Sequence, residues 1–159
     1  MTPSRIFAVA AGVVGGLFAA ISVYWGLGGG WLLDTVDDSP AATSSTAAHA
    51  ALWLSVIAKL VAVILPWLAV TVPSARPRRR LLRRLGWVEA IVLVGYGGVL
   101  TSVGLLVQLD IVPVGVNADE RALRWHAYLW DPWFLIWGLL VATALLTGRA
   151  PAPVPQTSP

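Results

Sequence analysis

An ammonium group inside an apolar run is the first feature of this chain that invites chemistry. Lys59 lies within the uncharged surroundings of residues 50–72, about nine residues from the end of that run and about 13 Å deep at about 1.5 Å per residue. A lone lysine at that depth costs about 2.5 kcal/mol or more, so it must face a protein interior, pair, or snorkel. Ser55 lies one turn away on the same helical face, and Asp131, at the mouth of a later apolar run, is the expected partner. Such a pair either fixes helix register or leaves the lysine to anchor a ligand or handle protons. Glu89 enters its apolar run by only two residues, beside Arg83 and Arg84. It is expected to snorkel and pair with arginine, with coupling to ion movement as the alternative. His49 and His126 fall at similar depth. Two facing histidines can ligate haem in a four-helix bundle, whereas histidines at a wet interface need no such role. Zinc lacks a third nitrogen or sulfur ligand, and no cysteine is present.

The aromatic residues are unevenly spread. Trp25, Trp31, Trp53, Trp125, Trp130 and Trp133 gather near one boundary with Tyr24 and Tyr128, while Trp67 and Trp87 mark the other. Belts of tryptophan at both interfaces are usual for membrane helices. The excess on one side also fits an aromatic pocket with Tyr24, Lys59, His126 and Asp131 as its polar contacts. The candidate cluster is therefore Tyr24, Trp25, Lys59, His126, Tyr128 and Asp131. No nucleophile–base pair, paired carboxylates at one depth, or metal set is visible, so neither catalytic residues nor a cofactor are expected. Nothing points to nucleic acid.

The elements that carry these residues follow from composition. The chain is 57% hydrophobic and 12% charged, about half the charged fraction of a soluble domain. Four apolar runs, residues 6–27, 50–72, 87–109 and 128–148, carry at most one charge each. Each is long enough to cross about 30 Å of hydrocarbon as a helix, the only open-ended form that satisfies its own backbone there. The fold class is thus all-α, a single four-span bundle with a proline-rich tail over residues 149–159. The first run is too long for a signal-peptide core, and no small-x-small cleavage site follows it. Arg76, Arg78, Arg79, Arg80, Arg83 and Arg84 fill the central connection, and the other connections are acidic. Positive charge marks the cytoplasmic side, which places both termini and the basic segment inside. That segment can also attract anionic lipid heads, although its topogenic role suffices.

The connection at 34–48 is small and polar and reads as flexible. The second outer connection looks ordered, with Asn117 and Glu120 as a capping pair opening a short interfacial helix, and a break is expected near Pro132. Gly12 and Gly16 form a small-xxx-small pair, and Gly28-Gly29-Gly30 reads as a helix stop.

Three motifs stand in order on these helices: VYWGLGGGW at 23–31, VGYGG at 94–98, and RWHAYLWDPWFLIWG at 124–138. Together they resemble a family of small bacterial membrane proteins known only as a domain of unknown function, over about residues 5 to 148. The most specific part is Tyr128, Asp131, Pro132, Trp133 and Gly138. The resemblance implies a four-helix membrane fold without an assigned activity, and draws attention to Tyr24, Trp25, Gly28, Gly29, Asp131 and Pro132. The expected protein sits in the bacterial cytoplasmic membrane, with the bilayer as its first partner. A small apolar ligand, a lipid, a membrane protein or a second copy is the expected further partner. A small oligomeric transporter is the alternative and a membrane enzyme the weakest reading.

Overall fold

The structure is a computed structural model that describes residues 1–36, 46–73, 76–115 and 119–148. The polar tracts inside 37–45, Asn117 and the proline-rich tail lie outside the described residues. Among those described, all regular structure is helical: α1 (Pro3–Gly26), α2 (Thr46–Thr71), α3 (Arg78–Gln108), α4 (Glu120–Trp125) and α5 (Asp131–Thr147). Four helices are long and apolar enough to cross a membrane, the last running Glu120–Thr147 through α4 and α5. Their outward faces carry Ile6, Val13, Leu54, Ile64, Ile91 and Val99, all exposed. In a bundle bathed by lipid such a surface costs nothing, because the surrounding solvent is as apolar as the side chains.

The helices begin ahead of the apolar runs, α1 at Pro3, α2 at Thr46 and α3 at Arg78. Most of the basic segment, expected as a connection, is helical: Arg78, Arg79, Arg80, Arg83 and Arg84 lie in the first turns of α3. Arginine is a good helix former, so the helix continues out of the apolar zone. Two of these arginines close the end of α5. Arg79 Nη2 donates to the Gly148 carbonyl at 3.1 Å, and Arg83 Nη2 donates to that of Leu145 at 2.8 Å. Carbonyls in the last turn have no intrahelical donor, and a guanidinium satisfies both their hydrogen bonding and the negative end of the dipole.

The core at this end joins Ala11 of α1, Ala69 of α2, Ala90 of α3 and Trp137, Val141 and Leu145 of α5. Small residues on three helices make room for the tryptophan of the fourth. Gly15 lies directly under the Trp137 ring, whereas Gly16 faces nothing within 4 Å. Of the expected Gly12–Gly16 pair, Gly12 faces Val63 O of α2, 3.7 Å from where a Cβ would lie, and Gly15 rather than Gly16 is the closest-contact position on α1. α3 and α5 approach at Gly97 and Gly138. A Cβ at Gly138 would lie 2.8 Å from Val94 N.

α1 stops as expected. Gly28 takes φ +93°, its N–H donates to Trp25 O, and the Gly29 N–H donates to Tyr24 O. These two bonds close a Schellman motif, whose left-handed residue suits glycine. The break expected near Pro132 takes another form. Residues His126–Trp130 form a π-helical turn that carries α4 into α5, so Pro132 sits in the first turn after a continuous junction. The start of α4 also differs from expectation: Asp119, whose side chain accepts from the N–H groups of Arg121 and Ala122, caps it, two residues beyond Asn117. Asp34 pairs with Arg121 at 2.9 Å, and Leu33–Thr35 form a short 3-10 turn. The beginning of the connection expected to be flexible is thus anchored, and its last residues, from Thr46, belong to α2.

Candidate ligand-binding cavity

At the end opposite the arginines, the helices diverge around a cavity of about 530 Å³. Its floor is aromatic: Phe18 from α1, Tyr96 from α3, and Phe134 from α5. Phe18 packs edge-on to Phe134 at 4.7 Å between centroids, and Tyr96 edge-on to Phe134 at 5.3 Å. Trp25 and Trp130 continue the wall, 5.6 Å apart and T-shaped. Such edge-to-face pairs suit the ring quadrupoles and hold the rings in fixed orientation. The glycines after α1, Leu33, Val36 and His49 border the opening.

Lys59 reaches into this cavity. Its Nζ donates to Ser22 Oγ at 2.8 Å and to Ser55 Oγ at 3.5 Å, and lies 4.6 Å from the Phe18 ring centroid. The Ser55 contact anticipated from one-turn spacing is present, but the expected ion pair with Asp131 is not. Both hydroxyl protons are spent on backbone, Ser22 to Phe18 O at 3.1 Å and Ser55 to Leu52 O at 2.7 Å. The hydroxyls therefore present lone pairs to the lysine, and the ring face adds a cation–π contact.

Asp131 turns instead to its own segment. It is 4% exposed, and its Oδ1 shares a 3.2 Å hydrogen bond with His126 Nδ1. The other ring nitrogen donates to Val36 O at 3.3 Å. Both ring nitrogens of His126 are thus engaged in hydrogen bonds. Both histidines do border one cavity. A second tie spans the chain: the Trp130 Nε1–H donates to Thr35 Oγ1 at 3.1 Å, and Thr35 donates to Leu32 O at 2.6 Å. The short turn after α1 is thereby fastened over the cavity by two bonds to the π segment, from His126 and from Trp130.

The six cluster residues separate into groups. Trp25, Lys59 and His126 line the cavity, and Asp131 stands behind His126. Tyr24 and Tyr128 do not join them: they are 45% and 63% exposed. Tyr24 packs over Gly29, and Tyr128 lies by Pro132 and Ile136 on the outer surface. Each belongs to the neighbouring face of its helix, as a tyrosine of an interfacial belt does. Ser22, Thr35, Tyr96 and Phe134 complete the site without having been singled out. Ser22 had a signal, since it continues the buried stripe Ala8, Ala11, Gly15, Phe18 at three- and four-residue spacing. The others required the packing. Glu89 also departs from expectation: among the described residues, neither of its buried side-chain oxygens has a hydrogen-bond partner, and Arg83 donates to the end of α5.

Four apolar helices around a core of small residues and tryptophan define a multi-pass helical membrane protein. The family model described as "Protein of unknown function (DUF3995)" matches residues 15–141, and the chain belongs to that family. The match takes in α2 and α3 whole and every residue of the cavity wall. No curated protein and no solved structure matches the chain.

Proposed function

We propose that this is a non-enzymatic protein of the bacterial cytoplasmic membrane whose cavity holds a small, largely apolar ligand or lipid. The observation that carries the reading is the cavity itself. Its volume of about 530 Å³ falls in the range of small-molecule sites, and its wall is mostly apolar, with the rings of Phe18, Trp25, Tyr96, Trp130 and Phe134 and few polar groups, the usual composition of such sites. The hydrogen bonds that fasten the 3-10 turn to the π segment keep the cavity formed without a ligand. Native mass spectrometry of protein extracted gently from its own membrane is expected to show a small molecule at fixed stoichiometry. Leu52, on the cavity wall, offers the control: Leu52→Trp fills the space and should reduce occupancy several-fold. A bare polypeptide in every extract would sink this reading.

The arginines on α3 and the acidic residues at the other end support an orientation with both termini and the basic segment in the cytoplasm, so that the cavity opens toward the outer leaflet. The chain has no cysteine, so single cysteines placed at Arg78 and at Glu120 report their side without background. An impermeant maleimide applied to intact cells should label Glu120→Cys and spare Arg78→Cys; the reverse pattern would invert the topology.

A further inference from the structure

We propose that the occupant of this cavity is a hydrophobic monocarboxylate, its carboxylate held by Lys59 and its apolar body by the aromatic wall. This rests on the reading of the cavity as a ligand site and adds the chemical class. Among the described residues that line the cavity, Lys59 supplies the one ammonium and none carries a carboxylate. Asp131, the nearest acid on α5, is committed to His126. The groups that hold Lys59 are two neutral hydroxyls and a ring face. They orient the ammonium without neutralising it, and of its three N–H donors the two serines engage two. A charge in an apolar, partly enclosed wall gains most from an anion that brings its own apolar surface.

The number of charges selects the kind of anion. His126 is matched by Asp131, so among the described lining residues Lys59 offers one positive charge with no acid beside it; a carboxylate carries one negative charge and balances it, whereas a phosphate monoester carries about −1.5 to −2 at neutral pH. The aromatic floor next to Lys59, made by Phe18, Tyr96 and Phe134, then meets the carbon skeleton directly behind the carboxylate. Two sources share this chemistry: a fatty acid arriving through the bilayer, and a small aryl acid arriving from water.

The test uses the full chain in phosphatidylcholine nanodiscs and calorimetric titration, with empty discs subtracted. The probes are decanoate with decanol, and naphthalene-2-carboxylate with naphthalene-2-methanol. Wild type should bind at least one acid about tenfold or more tighter than its alcohol. Lys59→Met should bind acid and alcohol alike at the affinity wild type shows for the alcohol, and Lys59→Arg should keep the preference for acid. Retained alcohol binding shows that the variant is folded. Should Lys59→Met fail to yield monodisperse protein, Lys59→Gln carries the same comparison. Preference for decanoate alone assigns the bilayer-borne source, and preference for the aryl acid the water-borne one. Equal binding of acid and alcohol by wild type, unchanged in Lys59→Met, overturns the inference and leaves the cavity as a site for neutral ligands. Binding of no probe would remove the cavity reading and this inference together.

Discussion

Gly97→Val is expected to unfold or dissociate the α3–α5 contact at a cost at or beyond the upper end of the about 1–3 kcal/mol that overpacking carries. The reason is that this contact is backbone against backbone. A Cβ at Gly97 would collide with Leu135 N and lie 2.9 Å from both Asp131 O and Leu135 Cα. A side-chain neighbour can rotate away, but the main chain of a packed helix moves only if the helix does. Glycine is present for that closeness, since membrane helices gain their affinity from van der Waals contact rather than from expelling water. Gly95 is the control, because among the described residues nothing lies within 4 Å of its added Cβ. Thermal unfolding in mild detergent, followed by tryptophan fluorescence, should show a large loss for Gly97→Val and little for Gly95→Val. Equal stability of the two would mean that α3 and α5 are not held at this point. The contact bears on function because Tyr96, on the cavity floor, is the residue next to Gly97.

The four spans were legible from composition, because the bilayer demands about 20 apolar residues per helix and little else in water tolerates that pattern. The ends were less legible. Arg78 to Arg84 read as a connection by charge, but charge does not end a helix, and the carbonyls at Leu145 and Gly148 supplied the partners that stabilise it. The same carbonyls bear on Glu89: Arg83, one of the two arginines beside it in sequence, donates to Leu145 O and Gly148 O, at a helix end that sequence spacing does not reveal. The site was legible by depth and illegible by direction. Counting along α2 put Lys59 at the level where the cavity lies, and counting along the last span put Asp131 at its mouth. Neither count says which way a side chain turns about its helix. Tyr24 and Tyr128 shared the right depth and faced outward for that reason. The pairing of His126 with Asp131 was further hidden by local geometry. Residues five apart on an α-helix point about 140° away from each other. The π turn at His126–Trp130 widens the turn to i→i+5 and brings them onto one face. Such turns recur at functional sites, and no residue preference announces this one.

The His126–Asp131 pair yields the second large effect. His126→Leu is expected to destabilise the protein by about 1–3 kcal/mol, because it leaves a buried carboxylate without its hydrogen-bond partner. Fully buried pairs lose more when broken, about 3–5 kcal/mol, but the His126 side chain is 34% exposed, and water reaching it softens the loss. The double variant His126→Leu with Asp131→Leu should recover most of the stability, since exchanging both partners for apolar groups leaves no stranded charge. Recovery will be incomplete by the share that His126 contributes through Val36 O, which no change at Asp131 restores. Thermal unfolding of the two singles and the double closes the cycle, and additive losses would show that the two side chains act independently. A change at Asp131 alone separates a structural pair from a ligand-contacting one. Asp131 does not line the cavity, and the carboxylate probe is anchored at Lys59, so Asp131→Asn, which keeps an acceptor for His126, should bind that probe within about threefold of wild type. An Asp131→Asn variant that is stable yet has lost the probe would instead move the anchoring chemistry from α2 to the π turn, and make the imidazole and its carboxylate the polar end of the site.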